Sequence, residues 1–187
     1  MEADDRVLLA RVADGDEHAL RVLYGRHAAA MLRLLRRLTS DTGTAEEILQ
    51  EAWLAAWRSA AGYRGESAVR VWLLGITRRR AHDRLRRVAR PTVDLDDAPE
   101  PVDGGVDVEE QVLATIGHDA ILAAVRRLPA RSREVLGLAL VDELPYRDIA
   151  DVLGVPVGTV KSRMAHARAR LIRLLTEEEE EGHGTPR

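Results

Sequence analysis

The stretch from 91 to 110, PTVDLDDAPEPVDGGVDVEE, is the feature that most limits how this chain of 187 residues can fold. It combines three prolines, two adjacent glycines and a run of acids with little helical periodicity, so it predicts a flexible linker. The chain is long enough to form one small domain on each side of it. We therefore expect a first domain over 1–90, an acidic linker over 91–117, a second domain over 118–175 and an acidic tail over 176–187.

Composition predicts an all-α fold of two small helical domains. Leu, Ala, Val, Arg and Glu dominate, Phe is absent and runs of β-branched residues are scarce. With no Cys, the chain can form neither a disulfide nor a thiolate metal site, and nothing in the sequence calls for a metal or cofactor. The acidic N-terminus does not resemble a signal peptide, and no stretch reaches the ~20 apolar residues of a membrane span. We expect a cytoplasmic protein with no membrane insertion.

Charge is segregated along the chain, and the net value of -3 hides this. Residues 1–90 carry a net +5 and residues 118–175 a net +4, whereas the linker carries -8 and the tail -4. Two basic domains are thus separated and followed by acid. A basic domain predicts a polyanionic partner such as nucleic acid.

The sequence of the first domain predicts three long helices. The first follows the cap candidates Asp14 and Asp16 and has a stripe of residues at steps of three and four, in which His27 is a core residue. The second begins at Thr44, which with Glu47 forms a predicted capping box, and its outer face is acidic. The third begins near Ser67. The stripe of the first helix consists of Leu20, Leu23, His27, Met31, Leu34 and Leu38.

The sequence of the second domain predicts four helices, over 119–128, 131–141, 146–153 and 157–175. Gly154 is a predicted C-cap, and the tight turn Gly154-Val155-Pro156 joins the last two helices. Two helices joined in this way, the second basic on its outer side, form a helix-turn-helix, so the last helix is the predicted recognition helix for duplex DNA. Its candidate DNA contacts are Thr159, Lys161, Ser162, Arg163, His166 and Arg170.

A run of arginines over 78–90 predicts a second contact with a polyanion. Arg79, His82 and Arg86 share one stripe, and like charges this close repel unless a polyanion or salt bridges to other helices offset them. Beside them, Tyr63 and the loop 64–67 could hold an unstacked base. Trp72 is close in sequence, but for this residue a core position is the better interpretation.

Three motifs, in this order, resemble those of the extracytoplasmic-function (ECF) sigma factors of the sigma-70 family. AEEILQEAWLAAW (45–57) resembles region 2.2, VWLLGITRRRAHDRLRR (71–87) resembles regions 2.3 and 2.4, and YRDIADVLGVPVGTVKSRMAHARARL (146–171) resembles region 4.2. The resemblance covers about residues 5–90 and 118–175. It implies a region 2 helical bundle joined to a region 4 helix-turn-helix, and a factor that directs RNA polymerase to promoters.

The resemblance also implies roles for individual residues. The acidic face would dock on the β′ clamp helices of core RNA polymerase, and region 4 on the β flap. The loop would receive a flipped base of the minus-10 element, the arginine-rich helix would hold the melted strand, and the recognition helix would contact the minus-35 element. An anti-sigma factor is a further implied partner. The docking residues are Glu46, Glu47, Gln50 and Glu51, and the minus-10 residues are Arg64, Gly65, Glu66, Ser67, Arg79, His82, Arg86 and Arg87.

Other functions are less well supported. The chain has no His-Glu-x-x-His, Gly-x-Ser-x-Gly or phosphate-binding glycine loop, so we do not expect an enzyme. One alternative is a helix-turn-helix repressor or activator that works without being a polymerase subunit, as a dimer on a palindromic site. Another is a helical adaptor whose basic faces bind acidic proteins.

Overall fold

The computed structural model describes residues 3–88 and 118–182, and within these ranges it is helical with no strand, which confirms the predicted fold class. We call 3–88 the first segment and 118–182 the second segment. The predicted linker and the end of the tail lie outside the described residues. The helices are α1 (Asp5–Ala13), α2 (Glu17–Leu38), α3 (Thr42–Ser59), α4 (Val69–Val88), α5 (His118–Arg127), α6 (Ala130–Leu136), α7 (Tyr146–Leu153) and α8 (Val157–Gly182).

Helix α1 was not predicted, and it packs on α2 through a small polar cluster. Asp5 accepts hydrogen bonds from Arg26 at 2.6 Å and lies 2.7 Å from Nε2 of His27. Although burial raises the pKa of Asp5, the hydrogen bonds to Arg26 and His27 outweigh this effect and hold that pKa below its usual value. His27 is buried, as predicted, but its position in the core depends on a carboxylate from another helix.

The caps of α2 and α3 differ in how well they were predicted. Asp16 caps α2 as expected, because its carboxylate accepts from the backbone N–H groups of His18 and Ala19. The prediction of a capping box at Thr44 and Glu47 was wrong. Helix α3 begins at Thr42, and its N-cap is Asp41, whose carboxylate accepts from the N–H of Thr44. Asp is as good a cap as Thr, and it lies one turn earlier.

Helix α4 is the central element, since it packs against α2, α3 and α7. Its apolar residues occupy consecutive positions rather than one stripe, and those from Val71 to Leu74 and Ile76 are buried or half-buried. Thr77 is also buried, and its hydroxyl donates to the carbonyl of Leu73 at 2.8 Å. A helix that is apolar on more than one side has to be covered on more than one side. Here α7, from the second segment, supplies part of that cover.

The second segment forms the predicted helix-turn-helix. Gly154 has φ +65°, a left-handed conformation that suits glycine at the end of α7, and the N–H of Val155 reaches back to the carbonyl of Ala150. The predicted helix 131–141 is α6 followed by a wider π turn, Gly137–Val141. Helix α8 continues past 175 to Gly182, because glutamate is a good helix former.

We predict that Asp5→Asn lowers the free energy of unfolding by about 1–3 kcal/mol near neutral pH, because it weakens charge-assisted hydrogen bonds to two residues of α2. The folded-state pKa of Asp5 is depressed, so its contribution is fully present above its unfolded-state pKa of about 3.9. The contribution is lost as the pH falls through the lower folded-state pKa. Urea unfolding of wild type and variant across this range measures the difference.

Asp14→Asn is the matched control, since Asp14 is an exposed carboxylate at the other end of α1. A loss for Asp5→Asn no larger than the control's, or one that persists at the lowest pH, would contradict the role assigned to the α1 contact.

Candidate nucleic-acid and protein interfaces

Helix α8, the predicted recognition helix, has its basic side opposite its packing side. Val160, Met164, Ala167 and Leu171 are buried, and α8 packs on α5, α6 and α7. Lys161 is exposed, whereas the other candidate contacts are half-buried: Thr159, Ser162, Arg163, His166 and Arg170. The six candidates therefore share one helix but differ in reach, and the Ser162 hydroxyl is already directed at the carbonyl of Thr159, 3.0 Å away.

The acidic face of α3 exists, but a basic residue from another helix partly neutralises it. Glu46, Glu47 and Gln50 are exposed, and Glu51 is half-buried. Arg84 of α4 bonds to Glu47 with one nitrogen and to Glu51 at 2.8 Å with another. Sequence reasoning had placed Arg84 in the run facing a polyanion. For this arginine, salt bridges to another helix rather than a polyanion offset the repulsion within the run.

Two hydrogen bonds hold the loop over 64–67. Gly65 has φ +73°, which a residue with a side chain rarely adopts, and its carbonyl accepts from Arg6 of α1 at 3.2 Å. The Tyr63 hydroxyl donates to the carbonyl of Ser67. Arg64 remains 82% exposed at the side chain, so it can meet an incoming group.

The aromatic pair beside the loop is only partly in the core. The Tyr63 and Trp72 rings meet edge to face with centroids 5.4 Å apart, and both are half-buried. Trp72 packs against the core, as expected, and its side chain is only partly covered. An aromatic platform of this kind can stack on an unpaired base.

The residues predicted to face DNA on α4 differ in their exposure to solvent. Arg79, Arg86 and Arg87 are exposed, and Arg86 also bonds to Asp83 at 2.6 Å. His82 is half-buried, and burial lowers its pKa, with the charge of Arg78 adding to the effect. The lowered pKa favours the neutral form of His82 near pH 7.

Sequence reasoning missed the residues that join the two segments. Asp142, just after the π turn, is bonded to Arg33 and Arg37 of α2 and ion-paired with Arg70 of α4. Arg78 pairs with Glu134 of α6 at 2.7 Å. No local pattern could have revealed them, because the partners lie from 56 to 109 positions apart in the chain.

The joined segments leave a cleft between the loop and the helix-turn-helix. Its lining includes Glu66 and Ser67 from the loop and Arg147, Asp151 and Pro156 from α7 and the turn. Within the described part of the chain there is no cluster of His, Asp and Glu arranged to hold a metal ion. No helix in that part is long and apolar enough to cross a membrane.

Comparison with known proteins gives two family matches on the one chain. The model of "Sigma-70 region 2" matches residues 23–91, and that of "Sigma-70, region 4" matches residues 118–171. The ECF RNA polymerase sigma factor SigM of Mycobacterium tuberculosis is 38% identical over 175 residues, which are 93% of this chain and 86% of SigM.

Two solved structures are similar in fold. CnrH, in complex with the cytosolic domain of CnrY, has a TM-score of 0.67 and 25% identity, covering 92% of this chain and 97% of CnrH. The sigma factor RpoE, in complex with the anti-sigma factor NepR from Bartonella quintana, has a TM-score of 0.58 and 26% identity, covering 79% of this chain and 91% of RpoE.

Proposed function

The chain belongs to the ECF RNA polymerase sigma factors, which direct transcription initiation, and we propose that its two segments divide promoter recognition between them. The first segment docks on core polymerase and captures the melted minus-10 strand, while the second reads the minus-35 duplex. The observation that carries the proposal is the presence of both sigma regions on one chain, at 38% identity to SigM over 93% of its length. A repressor that acts without polymerase is not favoured, because it has no use for region 2.

Docking is assigned to the outer face of α3. Glu46 and Gln50 are exposed one turn apart, and the neighbouring Glu47 and Glu51 are ion-paired with Arg84. An acidic patch of this kind suits a basic partner surface on the β′ clamp helices, and the second segment meets the β flap. Arg84 offsets part of the negative charge of the patch through its pairs with Glu47 and Glu51, so Glu46 is the carboxylate most available to a basic partner.

Strand capture is assigned to the loop 64–67 and the exposed arginines of α4. The anchored loop and the half-buried Trp72 receive an unstacked base, while Arg79, Arg86 and Arg87 hold phosphates. His82, with its lowered pKa, lies among them as a neutral side chain. In α8, Lys161 and His166 reach base edges in the major groove, and Arg170 meets phosphate.

The proposed role requires no catalytic group, metal or cofactor from this chain, since core polymerase performs the chemistry in the cytoplasm. An anti-sigma factor is a further proposed partner. Support comes from RpoE, a structural relative that was solved with the anti-sigma factor NepR.

Run-off transcription from a promoter library with core polymerase, with and without the chain, tests the function. We predict transcripts only when the chain is present, and their loss in Glu46→Lys with Gln50→Ala, because that variant reverses the docking charge without disturbing Arg84. Circular dichroism should show an unchanged helical fold. Asp14→Lys, an equal charge reversal at an exposed site, is the control. Wild-type co-purification of the double variant with core polymerase would exclude α3 as the docking face.

If α8 reads the minus-35 element, variants of base-contacting residues and variants of phosphate-contacting residues should have different effects. Lys161→Ala or His166→Ala should weaken binding by about 1–3 kcal/mol and relax preference at one or two minus-35 positions. Arg170→Ala should weaken binding evenly and reduce the slope of log affinity against log salt by about one. Both are measured on the holoenzyme. If Ala at Lys161, Ser162 and His166 together leaves promoter choice unchanged, α8 is not the reading helix.

Strand opening should depend on α4. Arg79→Ala with Arg86→Ala should leave docking and upstream contacts intact but lose permanganate reactivity at minus-10, because the separated strand loses its phosphate contacts. A template with a pre-melted bubble should restore transcription. Arg36→Ala with Arg126→Ala is the control, since both are exposed arginines outside the proposed DNA surfaces. If the variant docks normally but still gives no transcription on the pre-melted template, these arginines act after strand opening, which contradicts the proposed role.

A further inference from the structure

The loop over 64–67 is anchored by a helix to which no DNA contact has been assigned. Arg6, in the first turn of α1, donates to the carbonyl of Gly65 at 3.2 Å, and the two residues lie 59 positions apart in the chain. Gly65 has φ +73°, and a Cβ added to it would meet nothing within 4 Å. The glycine therefore serves the backbone conformation rather than a close contact, and Arg6 holds the carbonyl of that same residue.

The loop combines a held backbone with exposed side chains. The Tyr63 hydroxyl donates to the carbonyl of Ser67, four positions away, so this hydrogen bond closes the loop on itself. The bond from Arg6 instead ties the loop to the helical bundle. The side chains of Arg64 and Glu66 are 82% and 78% exposed. A base that enters the loop thus meets exposed groups on a backbone whose position the two hydrogen bonds set.

Helix α1 is itself fixed at the turn that carries Arg6. Asp4 is the N-cap, and its carboxylate accepts from the N–H of Arg6 at 2.9 Å. Asp5, the next residue, is bonded to two residues of α2. The helix also packs on the short 3-10 turn Ala60–Gly62, which leads into the loop. Because the residues on both sides of Arg6 are fixed, its guanidinium can act as an anchor for the loop.

We infer that Arg6 is a positioning residue for recognition of the flipped minus-10 base. It holds the carbonyl of Gly65, and with it the loop conformation that the base enters, without touching the base itself. The inference rests on the proposed function, which assigns the loop to this base. A loop that is free to move can adapt its hydrogen bonds to several bases, whereas a fixed loop leaves a wrong base with unpaired groups. Arg6 therefore contributes to discrimination between bases.

A phosphate contact is the competing role for an exposed arginine near DNA. The two roles differ in what they change. A phosphate contact adds affinity for every sequence and increases the dependence of binding on salt. An anchor for the loop changes the preference at one base and leaves the salt dependence as it was. The hydrogen bond from Arg6 to a backbone carbonyl favours the second role.

Binding of holoenzyme to minus-10 single strands that differ only at the flipped base tests the inference. Arg6→Ala should lower the preference for the best base over the others by about three- to tenfold, as expected for the loss of one hydrogen bond. The slope of log affinity against log salt should not change. Arg6→Lys, whose ammonium can donate to the same carbonyl, should give a preference between those of the wild type and Arg6→Ala.

Arg11→Ala is the matched control. It removes an arginine from the same helix, together with an ion pair to Asp16 at 2.6 Å, and it leaves the contact between α1 and the loop in place. A general loosening of α1 would appear in this variant as well. We expect Arg11→Ala holoenzyme to keep the wild-type preference at the flipped base.

Tryptic cleavage of the free chain at the peptide bond after Arg64 measures the order of the loop without DNA or polymerase. Native-state cleavage follows the population of locally opened loops. Arg6→Ala should speed this cleavage several-fold, with an unchanged helical spectrum, and Arg11→Ala should not. The comparison is balanced, because each variant loses one tryptic site in α1.

Wild-type base preference in the Arg6→Ala holoenzyme would overturn the inference. A lower salt slope with unchanged preference would also overturn it, and would assign Arg6 to a phosphate. If instead the wild-type holoenzyme shows no preference at the flipped base, the proposed role of the loop in base capture fails. Cleavage after Arg64 in the free chain still decides whether Arg6 holds the loop.

Discussion

The burial of α4 is the constraint on which the rest of the structure depends. Its apolar residues fall on more than one side, so one neighbouring layer cannot cover it, and it packs on α2, α3 and α7. The first two neighbours come from the same segment and the third comes from beyond the linker. The same helix carries the exposed arginines assigned to strand capture. Its apolar start and basic end therefore link the packing of the chain to its function.

Arginine carries most of the positive charge and is used here in two ways. Arg33, Arg37, Arg70 and Arg78 make contacts between the segments, and Arg84 orders carboxylates on α3. Arg79 and Arg87 are exposed instead, and they are the arginines that the proposed function assigns to phosphate. The guanidinium group suits both tasks, because its several donors match a carboxylate as well as they match a phosphate. Protein carboxylates and DNA phosphates can thus compete for the same groups.

Much of the fold could be predicted because it depends on local patterns. The apolar stripe of α2, the Asp16 cap, the Gly154 turn and the helix-turn-helix follow from residues within a few positions of one another. One local prediction was wrong and one helix was not predicted, each for a physical reason. Asp41 competed with Thr44 as a cap, and α1 is a short helix stabilised by its contact with α2 rather than by a strong pattern of its own. The roles assigned to single residues at the polymerase and DNA surfaces remain predictions.

By itself, the sequence determined the all-α class, the two basic segments, the helix-turn-helix and the family, because periodicity, charge and motif order are properties of the chain. Only the tertiary structure decided which charges are available to partners. Arg84 is committed to Glu47 and Glu51, His82 is half-buried with a lowered pKa, and Asp142 is enclosed by arginines more than 70 positions away. Charges act through space, so an arginine that faces solvent and one that holds a buried carboxylate can be identical in sequence.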